Sequence, residues 1–224
     1  MGDREERVRA QYETWLGGRT PVALYVRWYL RHGGARDAPQ LFGAMGGGPF
    51  GRVLDVGCAT GFYLRWAFDH GHGHRVLAGV DLSTVMLSEA AARLCPAREA
   101  GVDVRLHQAS ATALPFPDGS FDALICNGVA KYLDDDMFSA FLVEAARVLT
   151  SGGKVAVADF GRPVALQSVI MPPGRFGIPV DYLRPSDTLC EALADHGFEG
   201  VTPVGLKRVR RIPLTYEGAV AARS

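Results

Sequence analysis

The pattern of apolar and polar positions divides most of the chain into short buried segments that alternate with amphipathic ones. Short apolar runs bounded by turn residues are typical of strands, and apolar residues that recur every three or four positions are typical of helices. The pattern predicts strands over 53–56, 76–80, 102–107, 123–126 and 154–160, with intervening helices over 62–70, 84–94 and 134–149. This alternation predicts an α/β fold with a doubly wound, mostly parallel sheet.

The segments that flank this alternating region have a different character. Thr20 and Pro21 predict the start of a helix before it, because threonine is a good N-cap and proline is tolerated in the first turn. After it, residues 161–185 hold 5 of the 13 prolines, which predicts a structured loop over an apolar site. We therefore expect one domain over 1–224, composed of a helical cap over 1–50, a core over 51–160, a cover loop over 161–185 and a helix with an antiparallel strand pair over 186–224.

Composition and charge narrow the range of functions. Hydrophobic residues make up 48% of the chain and charged residues 21%, and the formal net charge is +0. With one short basic cluster over 207–211, this charge does not favour a nucleic acid partner. No apolar run reaches the ~18 residues of a membrane span. The four cysteines are scattered and no secretory leader is evident, so we expect a cytoplasmic protein, monomeric or homodimeric, without a membrane partner.

The turn after the first predicted strand is the most informative segment for function. It runs Asp-Val-Gly-Cys-Ala-Thr-Gly over 55–61, and small residues in such a turn let a ligand approach the backbone. Asp81 ends the second strand twenty residues after Gly61, where an acid reaches the hydroxyls of an adenosine ribose. A dinucleotide site requires G-x-G-x-x-G, which Ala59 and Phe62 break, and no basic residue follows for a phosphate. The pattern therefore predicts an adenosine ligand without phosphate.

Four features together resemble the class I S-adenosylmethionine-dependent methyltransferases, and specifically the ubiquinone/menaquinone-methyltransferase-like subgroup. Residues 55–61 resemble the first motif of that family, D/E-x-G-x-G-x-G, and Asp81 resembles its ribose-binding acid. Residues 114–122 are similar to the loop before the fourth strand, and 147–153 to the turn before the fifth. The resemblance covers about residues 50–160. It implies a Rossmann-like sheet of seven strands in the order 3-2-1-4-5-7-6 with the last strand antiparallel, S-adenosyl-L-methionine as cofactor, and a small-molecule acceptor.

The resemblance also implies where each part of the cofactor lies. It places the turn backbone along the methionine part, Asp55 as the residue that orders the turn, and Leu82 against the adenine. Tyr12 resembles an N-terminal tyrosine that folds over the sulfonium, although a half-buried helix residue is an equal alternative. The expected cofactor-binding residues are Tyr12, Asp55, Gly57, Ala59, Gly61, Asp81, Leu82, Ser110, Ala111 and Asn127, the last of these near the methionine part or the acceptor.

Two positions depart from the family pattern. Ala59 replaces the middle glycine of the first motif, which adds a methyl group near the cofactor. Ser110 stands where many relatives carry an aspartate that accepts a hydrogen bond from the adenine amino group. Losing such a charge-assisted bond costs on the order of 1–2 kcal/mol, so we expect weakened cofactor binding.

The acceptor side of the site is less well defined by the sequence. Tyr132 after the fourth strand, with Met171 and Phe176 in the cover loop, are candidate substrate contacts. No general base is evident, and Lys131 and Tyr132 are most simply interpreted as surface residues. The histidines within 70–74 precede the second strand and lie opposite the ligand edge, so no metal site is expected.

Three functions are compatible with these observations. The first is methyl transfer to a small, partly apolar acceptor, with the acceptor atom (O, N or C) left open. The second is an intramolecular cyclisation of S-adenosylmethionine that releases methylthioadenosine. The third is a catalytically degenerate protein that binds the cofactor as a sensor or partner subunit, which Ala59 and Ser110 would suit.

Overall fold

The computed structural model describes residues 3–17, 24, 37–46, 49–163, 182–206 and 214–224. The helix predicted to begin at Thr20, most of the cover loop and the basic cluster over 207–211 lie outside these residues. No helix in the described part of the chain is both long enough and apolar enough to cross a membrane.

Seven strands form one sheet. They are β1 (Arg52–Val56), β2 (Val76–Asp81), β3 (Asp103–Gln108), β4 (Phe121–Asn127), β5 (Leu149–Pro163), β6 (Phe198–Gly205) and β7 (Leu214–Arg223). Their order across the sheet is β3-β2-β1-β4-β5-β7-β6. Strand β7 pairs antiparallel with both β5 and β6, whereas the pairs among β1 to β5 are parallel. The predicted Rossmann-like fold and strand order are confirmed.

The helices of the described residues flank this sheet. They are α1 (Asp3–Gly17), α2 (Ala38–Ala44), α3 (Phe62–Asp69), α4 (Thr84–Arg93), α5 (Cys95–Glu99), α6 (Asp135–Val148) and α7 (Ser186–Asp195), together with a 3₁₀ turn over Ala130–Tyr132. Side-chain caps start two of them: Ser83 accepts from the backbone N–H of Met86, and Asp134 from that of Met137. Helix α7 instead follows Pro185 without a side-chain cap.

Two apolar layers enclose the sheet. Helices α2 and α3 contribute to one layer, and α6 and α7 to the other. Val53, Leu54 and Val56 of β1 are buried, so this central strand is covered on both faces. A continuous apolar run is the sequence pattern of such a strand, which explains why β1 and β4 are predictable from sequence.

Arg147 joins two of the segments that carry the family resemblance. Its guanidinium donates to the carbonyl oxygens of Leu114 and Phe116 and to the carboxylates of Asp118 and Glu144. The hydrogen bonds from Arg147 lower the pKa of Glu144. The loop over 114–122 is thereby held against the end of α6, which indicates a structural role for both segments.

Candidate active site

The turn between β1 and α3 lies where the winding of the sheet reverses, with β2 on one side of β1 and β4 on the other. Its backbone is tightly folded: Gly57, Ala59 and Gly61 have φ angles of 75, 44 and 72 degrees. The N–H groups of Gly57 and Cys58 donate to the carbonyl oxygen of Val80 at 2.8 and 2.9 Å, which fastens the turn to β2. The edge of the sheet where we expect the ligand is therefore formed by backbone atoms.

Space at the turn is limited by its neighbours. A Cβ atom at Gly57 would lie 2.2 Å from Cγ2 of Val129, and one at Gly61 would lie 3.0 Å from Cβ of Ala90. Ala59 is the non-glycine residue with a positive φ among the residues that the structure describes. The family's middle glycine is thus replaced by alanine at a position where the backbone conformation favours glycine.

Asp81 connects the end of β2 to this turn. Its Oδ2 accepts from the backbone N–H of Ala59 at 2.9 Å, and its Oδ1 accepts from that of Ser83 at the same distance. Burial raises the pKa of Asp81, and these backbone hydrogen bonds oppose the rise. The carboxylate expected to bind ribose therefore points at the turn, at the edge where the sequence predicts the ligand.

Asp55 lies beneath the turn with only 1% of its surface exposed. Burial, with a smaller contribution from the charge of Asp81, raises its pKa to about 8. Its Oδ2 has no hydrogen-bond partner among the described residues. The resemblance implies that Asp55 orders the turn, but the backbone N–H of Ala59 in this turn donates to the carboxylate of Asp81. A buried oxygen without a partner is costly, which suits a position completed by a ligand donor.

The next strand outward contributes the residues expected at the adenine edge. The N–H of Ala109 donates to the carbonyl oxygen of Asp81 at 3.3 Å, which brings the residues after β3 beside the end of β2. Ser110 Oγ lies 2.8 Å from Thr112 Oγ1 and accepts from the N–H of Thr112 at 3.1 Å. It also donates to Oε1 of Glu5 in α1. Leu82 and Ala111 are half-buried beside this group.

Asn127 occupies the carboxyl end of β4 on the other side of the turn. Its amide donates to the hydroxyl of Tyr63 at 2.6 Å and accepts from the hydroxyl of Tyr216 at 2.6 Å. The two tyrosines come from α3 and β7, so three elements converge on this amide. Asn127 is held in one orientation at the end of the sheet where the sequence places it.

Lys131 and Tyr132 are buried, with 5% and 8% of their surfaces exposed, so their interpretation as surface residues is wrong. The Nζ of Lys131 lies 3.3 Å from Oδ1 of Asp159 and donates to the carbonyl oxygen of Gly128. It also lies 4.4 Å from the ring centre of Tyr132 and 5.4 Å from that of Phe160. The 3₁₀ turn folds this lysine inward toward the end of β5. The result is a buried ion pair between aromatic rings.

The remaining predicted site residues fall at the edge of the described structure or outside it. Tyr12 lies in α1, but its side chain is outside the described residues. Met171 and Phe176 of the cover loop also lie outside them. His70 and His72 pack on Trp66, with ring centres 4.0 and 6.1 Å away, before β2 begins.

Four polar residues at this edge were not predicted from the sequence: Glu5, Tyr63, Asp159 and Tyr216. Asp159 could have been found, because it lies near the carboxyl end of a predicted strand in a parallel sheet. Tyr63 follows the turn directly and carries a weaker signal of the same kind. Glu5 and Tyr216 are brought in by long-range packing, which leaves no local pattern in the sequence.

The properties of the site fit a nucleoside without phosphate. Asp55 is buried next to Asp81, which is half-buried, and residues 55–62 and 80–84 include no basic side chain that could bind phosphate. Three left-handed residues expose the turn backbone at the end of the sheet. The fold and site together define a Rossmann-like protein of the nucleoside-binding class.

Comparisons with known proteins agree with this class. Residues 53–153 match the family model described as a methyltransferase domain. The chain is 37% identical over 128 residues to a demethylmenaquinone methyltransferase of Thermus thermophilus, which covers 57% of this chain and 51% of the relative. It is 27% identical over 234 aligned positions to a ubiquinone/menaquinone biosynthesis C-methyltransferase of a Geobacter species, which covers 96% and 94%. The first alignment therefore spans about half of the length of that relative.

Solved structures share the fold at low sequence identity. A geranyl diphosphate C-methyltransferase from Streptomyces coelicolor has a TM-score of 0.71 and 18% identity, over 100% of this chain and 99% of the other. A phosphoethanolamine N-methyltransferase from Haemonchus contortus has a TM-score of 0.72 and 18% identity, over 95% and 60%. The chain belongs to the class I S-adenosylmethionine-dependent methyltransferases, and it is similar to their ubiquinone/menaquinone-methyltransferase branch.

Proposed function

We propose that this chain transfers the methyl group of S-adenosylmethionine to a small-molecule acceptor. The observation that carries the proposal is the β1–α3 turn, whose left-handed backbone is tied to the Asp81 carboxylate at 2.9 Å. The match of residues 53–153 to the methyltransferase domain supports the same function. A cytoplasmic location and the lack of a nucleic acid partner are part of this proposal.

Residues at the ends of neighbouring strands would each bind a different part of the cofactor. The backbone from Gly57 to Gly61 would face the methionine part, and Asp81 would accept hydrogen bonds from the ribose hydroxyls. Leu82 and Ala111 would contact the adenine. Asn127 would lie at the methionine end, where Tyr12 would cover the sulfonium. When bound, S-adenosylmethionine supplies a methyl group made electrophilic by positively charged sulfur.

Two features of the chain itself promote the reaction. The carboxylate of Asp81, which accepts hydrogen bonds from the N–H groups of Ala59 and Ser83, would place negative potential beside the turn and favour a positively charged ligand over its neutral product. The packed ends of β4 and β5 hold Asn127 and Lys131 in fixed orientations, which aligns an acceptor without further ordering. Alignment and exclusion of water are the main contributions that a displacement of this kind needs.

We propose a hydroxylated aromatic acceptor, with reduced quinones as the first class to test. The two relatives described above act in menaquinone and ubiquinone synthesis by name. Lys131 supports this choice, because a buried ammonium between Tyr132 and Phe160 would stabilise the negative oxygen of an ionised phenol. Ionisation of that oxygen would raise electron density on the ring carbon, which would bond to the methyl group as the sulfur–carbon bond of the cofactor breaks. S-adenosylhomocysteine would be the leaving group, and the ring proton would pass to the phenolic oxygen.

The test is methyl transfer from isotope-labelled S-adenosylmethionine to separate acceptors: a reduced naphthoquinone, a catechol, phosphoethanolamine and a primary amine. We expect a labelled product with the naphthoquinol, none with Asp81→Asn, and full activity with Asp136→Asn, whose side chain is exposed on α6. Labelled product with phosphoethanolamine alone would show that the acceptor is an amine of this kind and not a hydroxylated aromatic compound. Methylthioadenosine formed from the cofactor alone, with no acceptor methylated, would overturn methyl transfer in favour of cyclisation.

A further inference from the structure

Helix α1 places one carboxylate against the residues that follow β3. Glu5 is 8% exposed, whereas its neighbours Glu6 and Arg7 are exposed. Ser110 Oγ donates its proton to Oε1 of Glu5 across 105 positions of sequence. A carboxylate is rarely buried unless it is hydrogen-bonded, so this contact fixes where the first turn of α1 lies on the core.

The order of the strands identifies what this contact faces. The turn after β1, Asp81 at the end of β2 and Ser110 just beyond β3 lie side by side along the sheet order β3-β2-β1. The Ala109 N–H to Asp81 carbonyl bond joins the last two of these positions. A nucleoside with its ribose at Asp81 and its 5′ substituent on the β1 turn must direct its base toward Ser110. Glu5 therefore lies at the base end of the site.

The hydrogen-bonding capacity of the two side chains is unequal. The single hydroxyl proton of Ser110 is directed at Glu5, and its oxygen accepts from the N–H of Thr112. Its remaining capacity as an acceptor is weak and uncharged. An ionised carboxylate offers about four acceptor positions on two oxygens, so a carboxylate at position 5 can hold several donors at once.

The exocyclic amino group of adenine is a donor with two N–H bonds, and charged acceptors bind such donors about twice as strongly as neutral ones. From this match and from the placement above, we infer that Glu5 of α1 supplies the carboxylate that recognises the adenine amino group, held in position by Ser110. Position 110 itself carries no acid, and the charge is provided from the N-terminal helix instead. The inference rests on the proposed function, because it assumes an adenosine ligand at Asp81.

This assignment changes the consequence of having Ser110 where many relatives of the family carry an aspartate. The loss of the family's aspartate is compensated, so the site keeps a charged acceptor for adenine and is not weakened by that substitution. It also couples cofactor binding to α1, because the acceptor is present only when the helix lies on the core. Adenine selectivity then depends on a residue far from every motif.

The test compares two ligands by isothermal titration on the full chain: S-adenosylhomocysteine and S-inosylhomocysteine, in which an oxygen replaces the amino group. We expect the unmodified protein to prefer the adenosyl ligand by about 10- to 100-fold, the range for a hydrogen bond to a charged group. Glu5→Gln should reduce this preference to near unity, because its amide can both accept and donate. The exposed neighbour provides the matched control, and Glu6→Gln should leave the preference unchanged.

A rescue variant separates recognition from a purely structural effect. In Glu5→Gln/Ser110→Asp the carboxylate returns to position 110, and the preference for the adenosyl ligand should recover. If Glu5→Gln weakens both ligands equally, or weakens neither, the inference is wrong although the proposed function stands. If the unmodified protein binds neither ligand below millimolar concentrations, the proposed function itself fails.

Discussion

Asp55→Asn removes a buried carboxyl group while keeping nearly the same shape. Burial and the neighbouring Asp81 raise the pKa of Asp55 from 3.8 to about 8 in the folded protein. In the unfolded chain the group is exposed and ionises near pH 4. Between these values the folded state holds a proton that the unfolded state has lost. The stabilising contribution is therefore complete below the unfolded pKa and is lost as the pH rises through the folded pKa.

The size of the effect follows from the proton linkage. With one extra proton bound by the folded state, the free energy of unfolding falls by about 1.4 kcal/mol per pH unit. From pH 5 to pH 7 the loss attributable to Asp55 is therefore about 2–3 kcal/mol, and it levels off above pH 8. Asparagine does not titrate, so the variant should escape this loss.

Urea unfolding of both proteins at pH 5 and pH 7 measures the effect. The stability of Asp55→Asn relative to the unmodified protein should increase by about 2–3 kcal/mol between the two pH values. Asp136→Asn, which removes an exposed carboxylate from α6, should follow the unmodified protein at both. An equal difference between Asp55→Asn and the unmodified protein at pH 5 and pH 7 would show that Asp55 is already ionised, and would refute the account of this buried carboxyl.

Three further predictions concern the backbone of the turn and the buried ion pair. Ala59→Gly should raise the free energy of unfolding by about 1 kcal/mol in urea titrations, because φ at this position is 44 degrees; a loss of stability would contradict the assigned backbone. Gly57→Ala should lower the free energy of unfolding by about 2–4 kcal/mol and abolish binding of S-adenosylhomocysteine, because the added Cβ would lie 2.2 Å from Val129. Unchanged binding in calorimetry would show that Val129 does not pack against Gly57. Asp159→Asn should cost about 3–5 kcal/mol by leaving Lys131 buried without its counterion. Lys131→Met/Asp159→Asn should recover most of that loss, because the amide oxygen can still accept from one of the backbone N–H groups that Asp159 binds; equal stabilities of the single and double variants would show that the pair is not coupled.

The central part of the fold was predictable because each of its elements has a local cause. The mostly apolar run at β1 and the caps at Ser83 and Asp134 act within a few residues, so the alternating pattern locates the strands. The strand order followed from the family resemblance and not from the pattern. The observed strand boundaries differ from the predicted ones where pairing extends a strand. Strand β5 begins at Leu149 and not at the predicted Lys154, because Leu149 pairs with Phe121.

The candidate site was predictable only where it is made of backbone and strand ends. Asp81 and the turn over 55–61 fall at one edge by topology alone, and their role toward the cofactor stays a prediction. Lys131 was misjudged, because a charged residue after a strand end gives no indication that the 3₁₀ helix folds it inward toward Asp159. Glu5 was not found, because its contact with Ser110 depends on how α1 packs against the core. Such contacts arise from tertiary packing, which periodicity does not record.

The most direct test of the account is a crystal structure of the chain with S-adenosylhomocysteine. The account predicts the ligand beyond the carboxyl ends of β1 and β2, with both ribose hydroxyls within hydrogen-bonding distance of the Asp81 carboxylate and the amino acid part along Gly57 to Gly61. A nucleoside bound at any other edge of the sheet, or a ribose without contact to Asp81, would contradict it.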